Sequence, residues 1–391
     1  MDITSEVPFF VRLEYAMFDR KIVFEDGTEI FGKGFGYTGD LTAEIVFNTT
    51  MAGYQEIMSD PSYKYQAVVM TYPLIGNYGI NDEDFESDNY PVLQADENTG
   101  DPVSPRPTLS ALITGECCDT PSNFRSRITL EELMLRYGIA GIEGVDTRML
   151  TRIIRDRGSK KVLITDAKAD ISECIKKLSS EQLPHDGVKA VSTPIIKEYH
   201  PKELGGPHIV AIDCGIKKGI IREFLWEGCS VTLVPWDTPA DEIMRRKPDG
   251  LFISNGPGDP EDAVPVIETV KTLRGRLPIF GICLGNQIIA LAYGASTYKL
   301  KFGHRGGNHP VKELRTGKIE ITSQNHSYAV NADSIKGTGL EATHINLLDN
   351  TVEGIACEAD KIFGIQYHPE SSPGPEDSMH LFSRFIQMIT G

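Results

Sequence analysis

Leu277-Pro-Ile-Phe-Gly-Ile-Cys-Leu-Gly-Asn-Gln287 joins a short buried strand, a turn with glycines on both sides of Cys283, and the start of an apolar helix. Such a turn lifts a side chain out of a sheet and places it at a helix start, where unpaired N–H groups favour a thiolate. Glycine is expected at 281 and 285 because a side chain would collide in so sharp a turn. The pattern therefore predicts a nucleophilic cysteine, with a buried structural cysteine as the alternative.

Strand-like and helical patterns alternate on both sides of this turn, from His208 onward. The segments 209–213, 231–235 and 250–254 are apolar, and 361–367 has the pattern of a final strand. This alternation predicts an α/β fold for the C-terminal half, with an open, mostly parallel sheet and helices on both faces.

Four polar segments follow or interrupt predicted strands of this half. They are Asn255-Gly-Pro-Gly-Asp-Pro260, the turn at Cys283, Gln324-Asn-His-Ser-Tyr328 and His368-Pro-Glu370. We read all four as loops. Ligands of open α/β sheets bind at the carboxyl ends of the strands, so the four segments are expected to form one site.

A thiol attacks a carbonyl group well only if a base takes its proton and a third group orients that base. His368 is the predicted base, and Glu370 is the carboxylate that would orient the imidazole. The oxyanion would receive hydrogen bonds from the N–H groups of Gly256 and Leu284, the residue after the nucleophile.

The N-terminal half is predicted to be a mixed, β-rich α/β domain. A hairpin is expected over residues 21–35, and helices over 130–137 and 148–157. The acidic, turn-rich segment 81–107 is interpreted as a surface excursion. Gly205-Gly-Pro207 marks the predicted boundary between domains 1–204 and 205–391.

The composition and charge of the chain argue against several classes of function. The 391 residues carry a net charge of −16, which argues against sequence-independent nucleic-acid binding and against an anionic membrane surface. No apolar run approaches the roughly 20 residues of a membrane span, and the N-terminus lacks a signal-peptide pattern. The seven cysteines have no metal-binding spacing, so we expect no metal site, free thiols and a cytoplasmic location.

The chain resembles the class I (triad) glutamine amidotransferases in Gly281-Ile-Cys-Leu-Gly-Asn-Gln287 and His368-Pro-Glu370. More narrowly, it is similar to the small subunits of carbamoyl-phosphate synthetases. The motifs that carry this similarity are Phe302-Gly-His-Arg-Gly-Gly-Asn-His-Pro310, Ser323-Gln-Asn-His326, Ser254-Asn-Gly-Pro-Gly-Asp-Pro260, Phe47-Asn-Thr-Thr-Met-Ala-Gly-Tyr-Gln-Glu-Ile57, Asp60-Pro-Ser-Tyr63 and Asp146-Thr-Arg148. The resemblance therefore spans nearly the whole chain.

The resemblance implies hydrolysis of L-glutamine through a Cys283, His368 and Glu370 triad and a thioester. It also implies a heterodimer or higher oligomer with a large synthetase subunit, which would make carbamoyl phosphate from bicarbonate, ATP and the released ammonia. No cofactor is expected in this chain; ATP and a divalent metal would be bound by the large subunit. The matching positions imply that the glutamine site is lined by Ser62, Gly256, Gly258, Leu284, Gln287, Asn325, Ser327 and Tyr328.

The sequence departs from the family pattern at Asn286, where histidine is common, and at Ser327 and Tyr328, where Gly-Phe is frequent. Two other functions stay open: a stand-alone cysteine amidohydrolase, and a non-catalytic regulatory subunit. The absence of a Walker-type loop favours a subunit over a complete synthetase. The sequence leaves open whether the product feeds arginine or pyrimidine biosynthesis.

Overall fold

The computed structural model describes residues 18–87, 108–203 and 205–391. Its strands are β1 Arg20–Phe24, β2 Glu29–Gly36, β3 Leu41–Asn48, β4 Gln66–Met70, β5 Leu74–Ile75, β6 Ala111–Ile113, β7 Glu116–Cys117, β8 Ala140–Glu143, β9 Lys160–Asp166, β10 Lys197–Tyr199, β11 His208–Asp213, β12 Ser230–Pro235, β13 Gly250–Ile253, β14 Ile279–Ile282, β15 Thr297–Glu313, β16 Ile319–Val330, β17 Glu341–Asn346, β18 Val352–Cys357 and β19 Ile362–Ile365. Its α-helices are α1 Tyr54–Ser59, α2 Leu130–Tyr137, α3 Thr147–Arg157, α4 Ile171–Ser180, α5 Gly187–Val191, α6 Lys218–Trp226, α7 Ala240–Arg245, α8 Val264–Leu273, α9 Leu284–Ala292 and α10 His380–Thr390.

The described residues form two compact units. The first contains 18–51, 65–82 and 109–183, and the second contains 52–64, 83–87, 108, 184–203 and 205–391. This grouping differs from the predicted ranges 1–204 and 205–391, because residues 184–203 and the segments 52–64, 83–87 and 108 belong to the second unit. The side chains of segment 52–64 explain its place there: Asp60 and Ser62 hydrogen-bond to Asn325 and Asn255 of that unit.

The first unit is built on a closed barrel in the order β1-β2-β8-β6-β4-β3-β9. Strands β3, β4, β6 and β8 run parallel to one another, whereas every pairing of β1, β2 and β9 is antiparallel. Helix α4 covers part of it through Cys174 and Leu178, which pack on Val23 and Leu163. The sequence predicted the β-rich, mixed character of this unit but not that the sheet closes on itself.

Local predictions in the first unit agree with the structure. Ile22 pairs with Ile30 in the expected hairpin. Helix α2 begins with a capping box, in which Thr129 accepts from the Glu132 N–H and Glu132 accepts from the Thr129 N–H.

The interpretation of residues 81–107 as a surface excursion is wrong for residues 85–87, whereas Asp82 and Glu83 are exposed as expected. Phe85, Glu86 and Ser87 are buried. Glu86 is held there by hydrogen bonds: its N–H donates to Ser59 Oγ (2.9 Å), and its carboxylate accepts from the Gly219 N–H (3.0 Å). Residues 88–107 lie outside the described part of the chain.

The second unit is built on one sheet in the order β10-β12-β11-β13-β14-β19-β18-β16-β15-β17. The five neighbouring strands from β12 to β19 are parallel. Their core residues alternate between two clusters. Val210 and Ile212 pack with α8 and α9, whereas Ile209 and Ala211 pack with α6 and α10. The fold is therefore α/β, as predicted.

The sheet differs from the predicted mostly parallel one beyond β19. Strands β15, β16, β17 and β18 all pair antiparallel, and β10 pairs antiparallel at the opposite edge. After residue 296 the chain returns as hairpins, which need no crossover helix between strands. Within residues 18–87, 108–203 and 205–391, no helix combines the length and hydropathy that a bilayer crossing requires.

Candidate active site

Cys283 lies between β14 and α9, at the carboxyl end of a central parallel strand. Its backbone has φ 53° and ψ −101°, a strained conformation for a residue with a side chain. A Cβ at Gly285 would lie 2.2 Å from the Ile253 carbonyl oxygen, and one at Gly281 would lie 2.6 Å from the Gly285 backbone. The glycines thus allow the strand and helix to approach closely, which confirms the predicted reason for them.

His368 follows β19, the strand next to β14. Its N–H donates to the Ser323 carbonyl (2.9 Å), and its Nδ1 lies 2.7 Å from Glu370 Oε1. Since Glu370 accepts the Nδ1 proton, the lone pair of a neutral ring is on Nε2. That nitrogen is buried and meets no hydrogen-bond partner among the described residues. The nearby Cys283 thiol nevertheless contributes to the stability of the protonated ring.

Lys217 is a member of the site that the sequence analysis missed. Its Nζ donates to the same Glu370 oxygen at 2.8 Å, and the two side chains are 3% and 0% exposed. Lys217 follows the carboxyl end of β11, where the rule used for the other site segments would have placed it. Lys217, Glu370 and His368 thus form a continuous hydrogen-bonded chain of buried side chains.

Burial and charge act in opposite directions on these groups. Burial alone would lower the pKa of His368, but the Glu370 carboxylate, together with the Cys283 thiol, raises it to about 10. Burial would likewise favour neutral Glu370, yet Lys217 and His368 hold the pKa of this carboxyl well below its usual range. The imidazole is therefore a strong acceptor for the proton of a thiol.

Ser62 is close to the catalytic elements through the loop after β13. Asn255 Nδ2 donates to Ser62 Oγ (3.0 Å), while Asn255 Oδ1 accepts from the Lys217 N–H (3.3 Å). Asp60 accepts from the Ser62 N–H (2.9 Å) and from Asn325 Nδ2 (2.7 Å). Asn255 and Asp60 appeared in the sequence motifs without a role. Asn255 joins Ser62 to the Lys217 backbone, and Asp60 joins Ser62 to Asn325.

The two predicted oxyanion donors are neighbours. A Cβ added to Gly256 would lie 2.8 Å from Leu284 Cδ2 and 2.2 Å from the Cys214 carbonyl oxygen, and the backbone clash leaves no room for a larger residue. Leu284 is the first residue of α9, and its N–H has no acceptor within the helix. Gly258 is exposed in the same loop with φ 89°, a conformation that favours glycine.

The interpretation of Gln324–Tyr328 as a loop is wrong, because these residues lie inside the continuous strand β16. They pair with β15, where Arg305 faces Asn325 and His304 faces His326, so the backbone polar groups are satisfied by a ladder. The strand still reaches the nucleophile. The Asn325 carbonyl accepts from Cys283 Sγ at 3.6 Å.

Gln287, Ser327 and Tyr328 hydrogen-bond to protein groups. Gln287 Nε2 donates to the Tyr328 carbonyl (2.7 Å) and to Gln366 Oε1 (3.0 Å). Arg305 Nη2 donates to Ser327 Oγ at 2.5 Å, so this serine hydroxyl binds a neighbouring side chain. Asn286 also reaches Gln366 Oε1 (3.4 Å) and is buried in α9. The departure at 286 therefore lies outside the Cys283, His368 and Glu370 chain.

The arrangement is suited to acyl transfer. The predicted nucleophile, the predicted base with its orienting carboxylate, and the candidate oxyanion donors occur together in one unit. All seven cysteines are free, and Cys283 is the one placed in the strand–helix turn. Ligand-type side chains for a metal come together elsewhere in the described residues, at His304, His326 and Glu353.

Two protein-family models match this chain, one over its N-terminal part and one over its C-terminal part. The family model "Glutamine amidotransferase class-I" matches residues 210–388, and the model "Carbamoyl-phosphate synthase small chain, CPSase domain" matches residues 22–164. Among solved structures, a glutamine amidotransferase from Thermotoga maritima is 16% identical with a TM-score of 0.37, over 48% of this chain and 100% of that one. That likeness is too low to contribute to the assignment.

Curated relatives match nearly the whole chain. A carbamoyl phosphate synthase small chain from Fusobacterium nucleatum is 46% identical over 95% of this chain and 99% of its own length. The small chain from Bacillus caldolyticus and the pyrimidine-specific small chain from Bacillus subtilis are each 48% identical, over 95% of this chain and 96% of theirs. This chain belongs to the carbamoyl phosphate synthase small-chain family.

Proposed function

We propose that this chain is the glutaminase subunit of a carbamoyl phosphate synthase and that Cys283 is its nucleophile. The thiol proton passes to His368 Nε2 while sulfur attacks the carboxamide carbon of glutamine. The tetrahedral intermediate collapses, the imidazolium protonates the leaving nitrogen, and ammonia departs. Water activated by His368 then hydrolyses the thioester and releases glutamate. The observation that carries this proposal is the buried hydrogen-bonded chain from Lys217 through Glu370 to His368, which follows the strand next to the one that ends at Cys283.

The remaining roles in the proposal follow from chemistry. N–H groups of Gly256 and Leu284 would stabilise the oxyanion, since backbone donors aimed at the developing charge are effective in a dry site. The substrate's amino and carboxylate groups would be held by side-chain and backbone groups of the binding set: Ser62, Gly258, Gln287, Asn325, Ser327 and Tyr328. Asn255 and Asp60 would orient Ser62 and Asn325 through the hydrogen bonds described above.

The partner in this proposal is a large synthetase subunit that binds ATP and a divalent metal and makes carbamoyl phosphate from bicarbonate and ammonia. The Bacillus subtilis relative is named pyrimidine-specific, and we propose a role in pyrimidine biosynthesis, with arginine biosynthesis as the alternative. We also propose that the chain is located in the cytoplasm. We further propose that the sheet of the second unit is of the class I amidotransferase type, with helices on both faces.

The proposal is tested by the release of glutamate from glutamine, measured with and without the large subunit. Cys283→Ser should abolish hydrolysis while circular dichroism and glutamine binding stay close to wild type. Cys214→Ser is the matched control, because Cys214 is equally buried but follows β11 outside the turn. Substantial hydrolysis by Cys283→Ser would refute the assignment of the nucleophile.

A further inference from the structure

Three side chains with metal-binding atoms meet in the antiparallel part of the second unit, apart from the cysteine site. His304 lies on β15, His326 on β16 and Glu353 on β18, and they are 6%, 5% and 0% exposed. One ligand atom of each lies within 4.8 Å of the other two. The imidazoles face each other across paired strands, with ring centroids 4.9 Å apart.

The outer nitrogen of each imidazole is already bound to an acceptor. His304 Nε2 lies 2.8 Å from Asp349 Oδ2, and His326 Nδ1 lies 2.7 Å from the Tyr328 carbonyl oxygen. Metal-binding histidines typically donate their second N–H to a carboxylate or backbone carbonyl in this way. His304 Nδ1 lies beside the Glu353 carboxylate, so an ion bound there would take the place of a proton on this nitrogen. His304 Nδ1 and His326 Nε2 would then carry the lone pairs that coordinate the ion.

In these tautomers the other nitrogen of each ring, His304 Nδ1 and His326 Nε2, receives no hydrogen bond from the described residues. His304 Nδ1 is buried, has no hydrogen-bond partner in the described chain, and lies 3.4 Å from Glu353 Oε1. His326 Nε2 lies 2.8 Å from Gln324 Oε1, so two acceptors face each other in that tautomer. Gln324 Nε2 donates to Glu353 Oε2 at 3.0 Å. If the amide oxygen and nitrogen of Gln324 were exchanged, the amide oxygen would face this carboxylate, and two acceptors would again be in contact. A positive ion would satisfy His304 Nδ1, His326 Nε2 and Gln324 Oε1 together, and Glu353, which also accepts from Asn346 Nδ2 (3.0 Å), would supply a negative charge.

We propose that His304 Nδ1, His326 Nε2 and the Glu353 carboxylate bind one divalent transition-metal ion, most suitably Zn²⁺, with Gln324 Oε1 placed as a fourth donor. Two imidazoles with carboxylate oxygen are a ligand set that this ion accepts. Ligand atoms about 2.1 Å from a tetrahedral ion lie about 3.4 Å apart, so the side chains would close by little more than about 1 Å. The ion would join β15, β16 and β18 and would fix the strand segment of Asn325 and Ser327.

The direct test is metal uptake by the full chain carrying Cys283→Ser, so that the catalytic thiol cannot supply a ligand. Chelator-treated protein is titrated with ZnCl₂ by calorimetry, and bound zinc is counted by mass spectrometry after desalting. We expect one ion per chain and a rise of about 2–4 °C in the melting temperature of the second unit, the size of shift that modest ligand stabilisation gives in a folding unit of about 150–250 residues.

Variants then locate the ion. His304→Asn and Glu353→Gln should each lose stoichiometric zinc, whereas His200→Asn, at an exposed site, should retain it. The X-ray absorption spectrum of the zinc form needs no further variant and should show nitrogen and oxygen neighbours without sulfur. Failure to retain zinc, equal zinc in Glu353→Gln, or a sulfur neighbour would overturn the proposal. None of these readouts depends on glutaminase activity.

Discussion

At the scale of single residues, one carboxylate oxygen controls the proposed chemistry. Glu370 Oε1 accepts from both Lys217 Nζ and His368 Nδ1. Lys217 keeps the carboxylate ionised, and the carboxylate orients the imidazole and favours its protonated form. The cation and the base therefore act through a shared anion, although they lie far apart in sequence.

The base and its orienting group should differ in their effects on hydrolysis. His368→Asn removes the proton acceptor, which should lower kcat of the glutaminase by about 10²–10⁴. Glu370→Gln leaves the ring in place but weakens its orientation, so its loss should be smaller. Steady-state glutamate release measures both. Negligible loss in both variants would require a different base.

Lys217 should matter for stability in a pH-dependent way. Lys217→Met leaves a buried carboxylate without its ammonium partner, and at pH 7 the free energy of unfolding should fall by about 3–5 kcal/mol. The pKa of Glu370 is depressed in the folded state, so the wild-type stability from this carboxylate is present above its unfolded pKa of about 4.3 and declines below that value. The gap between wild type and variant should therefore shrink toward pH 3.

Urea unfolding at pH 7, 5 and 3.5 measures this gap. Lys336→Met is the control, because Lys336 pairs with Asp333 at an exposed position. A constant difference across the three pH values would mean that Lys217 acts by packing and not through the charge of Glu370.

Motif and strand-end reasoning identified the turn cysteine, the histidine and its carboxylate as one site, because each follows an apolar strand. The strand-end rule covers the position of Lys217, but it could not identify the ion pair that Lys217 makes or the hydrogen bond of Asp60 to Asn325. Their importance depends on which side chains become buried beside an ionised carboxylate or an amide. Such a neighbour is set by the packing of segments distant in sequence, and no local pattern of residues encodes it.

At the scale of elements, two structures bring groups to the nucleophile: the tight β14–α9 turn and the long strand β16. The turn was predictable because glycine spacing around a strand end is a local signal. The strand was misread because Gln324-Asn-His-Ser-Tyr328 is polar, and polar runs usually indicate loops. Pairing with β15 outweighed composition, since a ladder satisfies the backbone whatever the side chains are.

The turn gives a test of close backbone approach. In Gly285→Ala the added methyl would lie 2.2 Å from the Ile253 carbonyl oxygen, so β13 or α9 must shift. We expect a loss of about 1–3 kcal/mol in the free energy of unfolding and a large loss of glutaminase activity. Gly307→Ala is the control, since its Cβ would meet only ordinary contacts at 3.7 and 3.8 Å. Wild-type activity in Gly285→Ala would show that the turn tolerates movement.

At the scale of the whole molecule, each unit follows a different rule of construction. The second unit combines a parallel sheet with hairpins, and its α/β class could be inferred from alternating patterns. The barrel of the first unit could not, because closure depends on β1 meeting β9, a pairing between the two ends of the unit. The grouping of segment 52–64 with the second unit could not be inferred for a similar reason. Its hydrogen-bond partners Asn255 and Asn325 lie 193 and 265 residues away in the sequence.

Assembly with a large synthetase subunit is the prediction at this scale. Co-expression should give one co-eluting complex with an interface above about 1,000 Å², because ammonia released into water would be protonated and lost as a nucleophile. The complex should make carbamoyl phosphate from glutamine, and Cys283→Ser should leave only the ammonia-dependent reaction. Separate elution at micromolar concentrations, with no synthesis from glutamine, would favour a stand-alone amidohydrolase.

The crowding around Cys283 has a consequence for the history of such chains. Gly256, Gly281 and Gly285 each lack room for one methyl group next to the backbone. A lineage that lost the reaction but kept the fold would therefore be expected to keep all three glycines, since packing and not chemistry requires them. Replacement of Cys283, His368 or Glu370 beside an intact glycine set would then mark a chain that has kept this fold without the reaction.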